Sequence, residues 1–298
     1  MKALLICPGD RPGVAALTEA LPLSNVPILG KAALEYWLEH LITLSAREVL
    51  ILAADRPDAV RALVGDGARW GLSVSVQAEH YELTADQARV RYCERKADWL
   101  PAPRDAVVVN HLPGLPEVPF GSKYADWFAA VRTWLPRAAT PDRIGLRELK
   151  PGVWAGLHSH IAPDAELRSP CWIGENVQIE SGALLGPNAV IENNSFVARH
   201  AEIADSIVGP ETFVGEYTEI HSSIAWGNML VNWQRNSCVR VPDPFLLCSL
   251  EPPHPSAALA GTIARITSAF AALLPASRVR EYFNPAIDPT SAENQRTG

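Results

Sequence analysis

A five-residue apolar run, Ala3 to Cys7, ends in Pro8-Gly9-Asp10-Arg11-Pro12-Gly13. Glycine directly after a buried strand lets the backbone approach a ligand with no side chain between, and its N–H suits a phosphate oxygen. Arg11 adds a cation two residues on. Pro8 and Pro12 oppose such a cradle, because each removes an N–H and fixes φ. The other reactive side chains are scattered. The five cysteines (Cys7, Cys93, Cys171, Cys238, Cys248) are odd in number and include no C-x-x-C pair. That argues against a disulfide framework or a zinc site. Cys7 and Cys171 lie in apolar patterns and read as small core residues. His158 and His160 stand two apart with no cysteine or second histidine cluster beside them, so they read as a solvated corner, and no metal site is predicted.

The elements that would position the loop alternate along the first ~145 residues. "KALLIC", "EVLILAA" (Glu48 to Ala54), "LSVSVQ" (Leu72 to Gln77) and "DAVVVN" (Asp105 to Asn110) read as strands. Between them, Lys31 to Leu44 carries Leu34, Leu38 and Leu41 at helical spacing. "RPDAVRALVGDG" reads as a helix entered near Pro57 and stopped at Gly65, and a further helix is expected from Lys123 to Leu135. This alternation predicts parallel strands covered on both faces, with ligands at their carboxyl ends. The loop from Pro8 to Gly13 lies at such an end.

From about Val153 a period of six takes over. Ile161, Leu167, Ile173, Ile179, Leu185, Ile191, Val197 and Ile203 fall six apart. Four residues after each of the first seven stands Ala165, Cys171, Val177, Ala183, Ala189, Ser195 or Ala201. An α-helix turns 100° per residue, so six steps do not return to one face. A β-solenoid does, with one short strand and one corner per hexad. The period slips by one after Ile203 and resumes as Val208, Val214 and Ile220. Three hexads per coil give roughly four coils between Val153 and Trp226. An open end would expose unpaired strand edges, so "MLVNWQRNSCVRVPDPFLLCSL" is expected to close the stack. Leu259, Ile263, Ile266, Phe270 and Leu273 form one helical stripe in the tail, and beyond Tyr282 the polar composition predicts disorder.

The net charge is −7 and the pI about 5.6. No basic excess exists to displace counterions, which excludes nucleic acid as a partner. The initial apolar run is too short for a signal peptide, and nothing approaches the ~20 apolar residues of a membrane span. The expected location is cytoplasmic.

These pieces resemble the sugar-1-phosphate nucleotidyltransferases (sugar-nucleotide pyrophosphorylases). Members read G-G-x-G-T-R-L-x-P-L-T, then P-K-P, then a helix opening G-K-P-L-L-E, and many carry a left-handed hexapeptide-repeat β-helix. This chain aligns without a gap through "PGDRPGVAALT", "PLS" and "GKAALEYWL", and "GDGARWGLSVSV" looks like the family's helix-to-strand passage. The resemblance implies a shortened Rossmann-like α/β nucleotidyltransferase domain at 1–145. It further implies a left-handed parallel β-helix with closing segment at 146–250, and a C-terminal helix with a disordered tail at 251–298. Nucleotide-binding candidates carried over from it are Pro8, Gly9, Asp10, Arg11, Asn110 and His111.

The chain departs from that pattern where the chemistry lies. The family's lysine position holds Leu23, and its arginine position holds Gly13. The place of its metal-holding aspartate reads Asn110-His111-Leu112. Only ~40 residues separate Asn110 from the solenoid, too few for the family's sugar-binding subdomain. Phosphoryl transfer rests on positioned positive charge and metal. The expectation is therefore a catalytically impaired protein that binds a sugar nucleotide, or acts as a scaffold or regulator in sugar-nucleotide or envelope-polysaccharide metabolism. Mg2+ is expected only if transfer activity remains. Two alternatives stay open: an active sugar-1-phosphate nucleotidyltransferase with a non-standard site, and a hexapeptide-repeat acyltransferase. The acyltransferase would use a coil-edge histidine, His200 or His221, as general base. A homo-oligomer, trimer or dimer, is expected through the solenoid, with Trp154, Trp172, Trp226 and Trp233 supplying apolar area.

Overall fold

The computed structural model describes residues 2–93, 108–137, 143 and 145–250. Strands β1 (Lys2–Cys7), β4 (Glu48–Ala53) and β5 (Ser73–Ala78) form a parallel sheet in the order β1-β4-β5. Val108 bridges Ile6 in parallel on the free edge of β1, so the "DAVVVN" run ends beside it. Both faces of β1 are covered. Leu5 and Cys7 join one buried cluster, and Leu4 and Ile6 join another with Leu52 and Leu83. A strand buried on both sides must read as an unbroken apolar run, and this one does.

Among the described residues, five α-helices and one hairpin complete this lobe. They are α1 (Ala15–Thr18), α2 (Ala33–Thr43), α3 (Pro57–Val64) and α4 (Ala85–Ala88), with α5 (Tyr124–Trp134) behind them. The helix expected from Lys31 starts two residues later. Lys31–Ala32 is instead strand β3, paired antiparallel with β2 (Pro27–Ile28). The two-residue turn between them, Leu29-Gly30, has φ of +52° and +80°, the conformation that joins strands most tightly. The Glu35 carboxylate accepts the Ala32 N–H at 2.8 Å and fixes the start of α2.

The repeat region folds as the period of six requires. Successive strands visit three parallel sheets in turn, so Ile161, Ile179, Val197 and Val214 stack in one ladder. Leu167, Leu185, Ile203 and Ile220 stack in a second, and Ile173, Ile191 and Val208 in the third. Each coil advances 18 residues until the slip, where Val208 pairs with Ile191 only 17 residues back. The ladders and their small companions Cys171, Ala183, Ala189 and Ala201 form one buried interior. Met229–Asn232 and Ser237–Arg240 fold back antiparallel on one sheet, and Leu247–Ser249 caps a second. At the other end Arg147–Lys150 pairs antiparallel with Val153–Ala155. The tail helix expected after Ser256 lies outside the described residues.

The lobe and the coil share a core. The outward row of one coil sheet runs Trp154, Trp172, Val190, Ile207, Ile224 and Val231. Trp172 and the four aliphatics belong to the same buried cluster as Leu5, Trp37 and Trp127. The expectation that the four tryptophans serve oligomerisation is corrected here. Trp172 is part of that cluster, Trp154, Trp226 and Trp233 pack against it, and Trp233 stacks on Phe128 of α5 at 4.4 Å. Their apolar surface is spent inside the chain.

One polar residue crosses this boundary. Along the coil the position after each inward aliphatic reads Gly156, Gly174, Glu192 and Gly209. The Glu192 side chain is 1% exposed and accepts the N–H groups of Leu29 and Gly30 at 2.6 and 2.7 Å. The hairpin turn of the lobe is thereby pinned to the coil. Arg143 donates to the Leu29 carbonyl at 2.5 Å and to the Tyr36 hydroxyl.

Candidate functional site

The carboxyl end of β1 is the candidate site. Pro8 is buried, Gly9 partly covered and Asp10 exposed. The Gly9 N–H donates to Glu82 Oε2 at 2.8 Å. Arg11 reaches the same carboxylate through Nη2, at 2.7 Å to Oε2 and 2.8 Å to Oε1. Glu82 follows β5 in the loop before α4, so a parallel strand two places along the sheet delivers an anion to the first strand's loop. A backbone N–H beside a guanidinium is a phosphate-type site. In this chain both donors are taken by an internal carboxylate.

The segment before α5 closes the loop from above. A Cβ built on Gly13 would lie 1.9 Å from the Ser122 carbonyl oxygen, so no side chain fits where the family pattern has arginine. Leu23, in place of the family lysine, is 1% exposed. Gly121, with φ of +110°, lies so close that a Cβ there would come within 2.6 Å of Leu23 Cδ2. The Tyr124 hydroxyl accepts the Ala16 N–H at 3.0 Å and ties α5 to the chain just after the loop. Lys123, which precedes α5, is exposed.

Asn110 and His111 stand at the end of the strand beside β1, as the parallel bridge requires. The His111 ring is buried edge-on to Trp37 at 5.2 Å, and its Nδ1 lies 2.8 Å from Asn110 Oδ1. Trp37 Nε1 donates to the His111 carbonyl. Gly9 and Arg11 thus come together through Glu82, while Asn110 and His111 pair with each other against α2. Among the described residues no group of three or more His, Cys, Asp or Glu side chains is placed to hold a metal.

The coil-edge histidines lie elsewhere. His200, in a corner with φ of +55°, stacks on Tyr217 at 5.0 Å. Asp164 nearby is held below the usual carboxylate range, first by the Ser181 hydroxyl and least by the charge of His200. His221 Nε2 lies 3.8 Å from Glu202. Both rings are exposed.

Sequence reasoning missed Glu82 and Glu192. Thr84 and Gln87 form a capping box three residues apart, a legible pattern, but nothing local says that Glu82 turns back onto Gly9. Glu192 did leave a trace, as the one charged residue in a column of glycines.

Residues 170–205 match the family model described as bacterial transferase hexapeptide (six repeats). The chain is also similar to a glucose-1-phosphate thymidylyltransferase from Streptomyces griseus, with 36% identity over 75 residues. That match covers 25% of this chain and 21% of the relative's length. The sequence thus has a hexapeptide-repeat part and a partial likeness to a sugar-nucleotide enzyme. No helix among the described residues is long and apolar enough to cross a membrane.

Proposed function

We propose that this chain is a sugar-nucleotidyltransferase-like protein that does not turn over sugar nucleotides, and that it works as a binding or scaffold subunit in their metabolism. In this reading the lobe is a reduced Rossmann-like domain, residues 1–145, the coil is left-handed, and the protein acts in the cytoplasm. The observation that carries the reading is the Glu82 carboxylate seated on the Gly9 N–H and Arg11. A nucleotide phosphate would have to displace a like charge that is already bonded there. Leu23 and Gly13 supply no cation to offset the cost, and neither leaves room for one. Single electrostatic donors contribute about 10²–10³-fold to comparable reactions, and losses at several such positions need not add.

The test is pyrophosphate release from each of four nucleoside triphosphates with a panel of sugar 1-phosphates and Mg2+. No turnover is expected. A rate near the ~10 s⁻¹ of an ordinary enzyme for any pair would overturn the proposal, and Arg11, His111 and Lys123 would then be the residues to replace. In a binding assay Glu82→Gln is expected to strengthen nucleotide affinity, because it removes the competing charge and keeps the side chain's shape. The hexapeptide match also favours an acyltransferase reading. Acyl transfer from acyl-CoA that is lost in His200→Ala or His221→Ala would establish it instead.

A further inference from the structure

A cavity of about 270 Å³ opens between the β2–β3 turn and the coil, remote in sequence from the β1 loop. Gly30 and Lys31 form one wall, and Trp172, Glu175 and Asn193 of the coil form the other, with Arg143 between them. Arg143 is the decisive group. Its two hydrogen-bond partners among the described residues, the Leu29 carbonyl and the Tyr36 hydroxyl, are neutral oxygens. A guanidinium has five N–H donors, so these bonds leave donors over. Its carbon lies 4.9 Å from the centroid of the Trp172 ring, a cation–π contact that holds the fork in place. The buried Glu192 behind the turn interacts with its charge, but accepts its own hydrogen bonds from the Leu29 and Gly30 N–H groups. Lys31 brings a second cation to the cavity. Its Nζ is 2.6 Å from Glu39 and also lies over the Tyr36 ring.

The opposite wall is built for hydroxyls. Glu175 is exposed, and its carboxylate makes no hydrogen bond or ion pair among the described residues. Asn193 is held by the bond from the Glu175 N–H to its Oδ1 at 2.8 Å, which orients the amide nitrogen as its remaining polar atom. The cavity therefore has two cations on one side and a carboxylate with an amide on the other. Its volume is just below the roughly 300–1,000 Å³ of ordinary ligand pockets, too small for a complete sugar nucleotide.

We propose that this cavity between the hairpin turn and the coil binds a small hydroxylated phosphate monoester, of hexose-phosphate size, with its phosphate on Arg143 and Lys31. The ligand would sit against the turn that Glu192 fixes, so occupancy would tighten the hold of the lobe on the coil.

The experiment is calorimetric titration of the full chain with a hexose 1-phosphate and with inorganic phosphate. Saturable binding is expected for both, stronger for the monoester. Arg143→Gln should weaken it by tenfold or more, the usual scale for losing a charge-assisted pair. Arg143 also supports the turn, so that variant alone could fail through misfolding. Glu175→Gln removes an opposing charge from an exposed wall and should tighten inorganic phosphate severalfold, a gain that unfolding cannot produce. Arg61→Gln, at an exposed position on α3, should leave both affinities unchanged. Absence of binding, or no gain in Glu175→Gln, would overturn the proposal. So would loss in Arg11→Gln with no loss in Arg143→Gln, which would place the anion on the β1 loop.

Discussion

Cys7 and Cys171 sit in two different cores, and burial pushes both thiols up to about 12. A thiol reacts as its thiolate, so alkylation of the folded protein at pH 8 is expected to spare both and to label the exposed Cys238 first. Peptide mapping checks this, and early labelling of Cys171 would mean that the coil opens. Glu192 is the more informative residue. Burial lifts its carboxyl from 4.5 to about 7, against the lowering effect of the Gly30 and Leu29 N–H groups and of Arg143. The folded state then holds a proton that the unfolded state has released between those two values. Stability from this group is fully present below pH 4.5 and is lost as pH rises through 7. The span is on the order of 3 kcal/mol. Denaturant midpoints measured from pH 4.5 to 8 should show this slope in the wild type and lose it in Glu192→Gln. Glu192→Ala should cost about 2–4 kcal/mol at pH 4.5, because the Leu29 and Gly30 N–H groups lose their partner, and less as pH rises through 7.

At the scale of the element, the hexad makes a sharp prediction. Ile179 and Leu185 are buried in the coil interior, and truncation of either to Ala should cost about 2–5 kcal/mol. Glu180, one residue on, accepts from Gln178 and Arg199 near the surface, and Glu180→Gln should stay within ~0.5 kcal/mol. Equal losses at 179 and 180 in chemical denaturation would refute the register. The coil was readable because its period is set by one interior, which every aliphatic in the series must face. The strands of the lobe were readable for a similar reason, as runs buried on both sides. The hairpin at Pro27–Ala32 was not, since two-residue strands carry no period and Lys31 fits a helix start equally well. Another signal was present but masked by the hexad. Trp154, Trp172, Val190, Ile207 and Ile224 repeat at 18 and then 17 residues, marking the one sheet whose outer side is covered. The corresponding row of another sheet reads Glu166, Leu184, Glu202 and Glu219, as a solvated face should. The site was half legible. Gly9 and Arg11 follow from their place after a strand, whereas Glu82 arrives from 71 residues away in sequence and only the sheet order brings it there.

For the whole molecule, assembly is expected to use the coil sheet whose inward ladder is Ile161, Ile179, Val197 and Val214. Its outer row runs His160, Gln178, Phe196 and Phe213, and the two phenylalanine rings stack at 5.5 Å without full burial. Light scattering at micromolar concentration should report a dimer or trimer, and Phe196→Glu should reduce it to a monomer. A wild-type monomer would exclude this surface. The shared core has a further bearing on how such a chain can change over time. Residues 146–250 expressed alone would present Trp154, Trp172, Trp226, Trp233 and a row of aliphatics to water, and would be expected to precipitate. The lobe is the coat of the coil. Exposed side chains of the lobe can change one by one at little structural cost, but the lobe itself cannot be discarded without uncovering that row, so its outline outlasts changes in its individual polar groups.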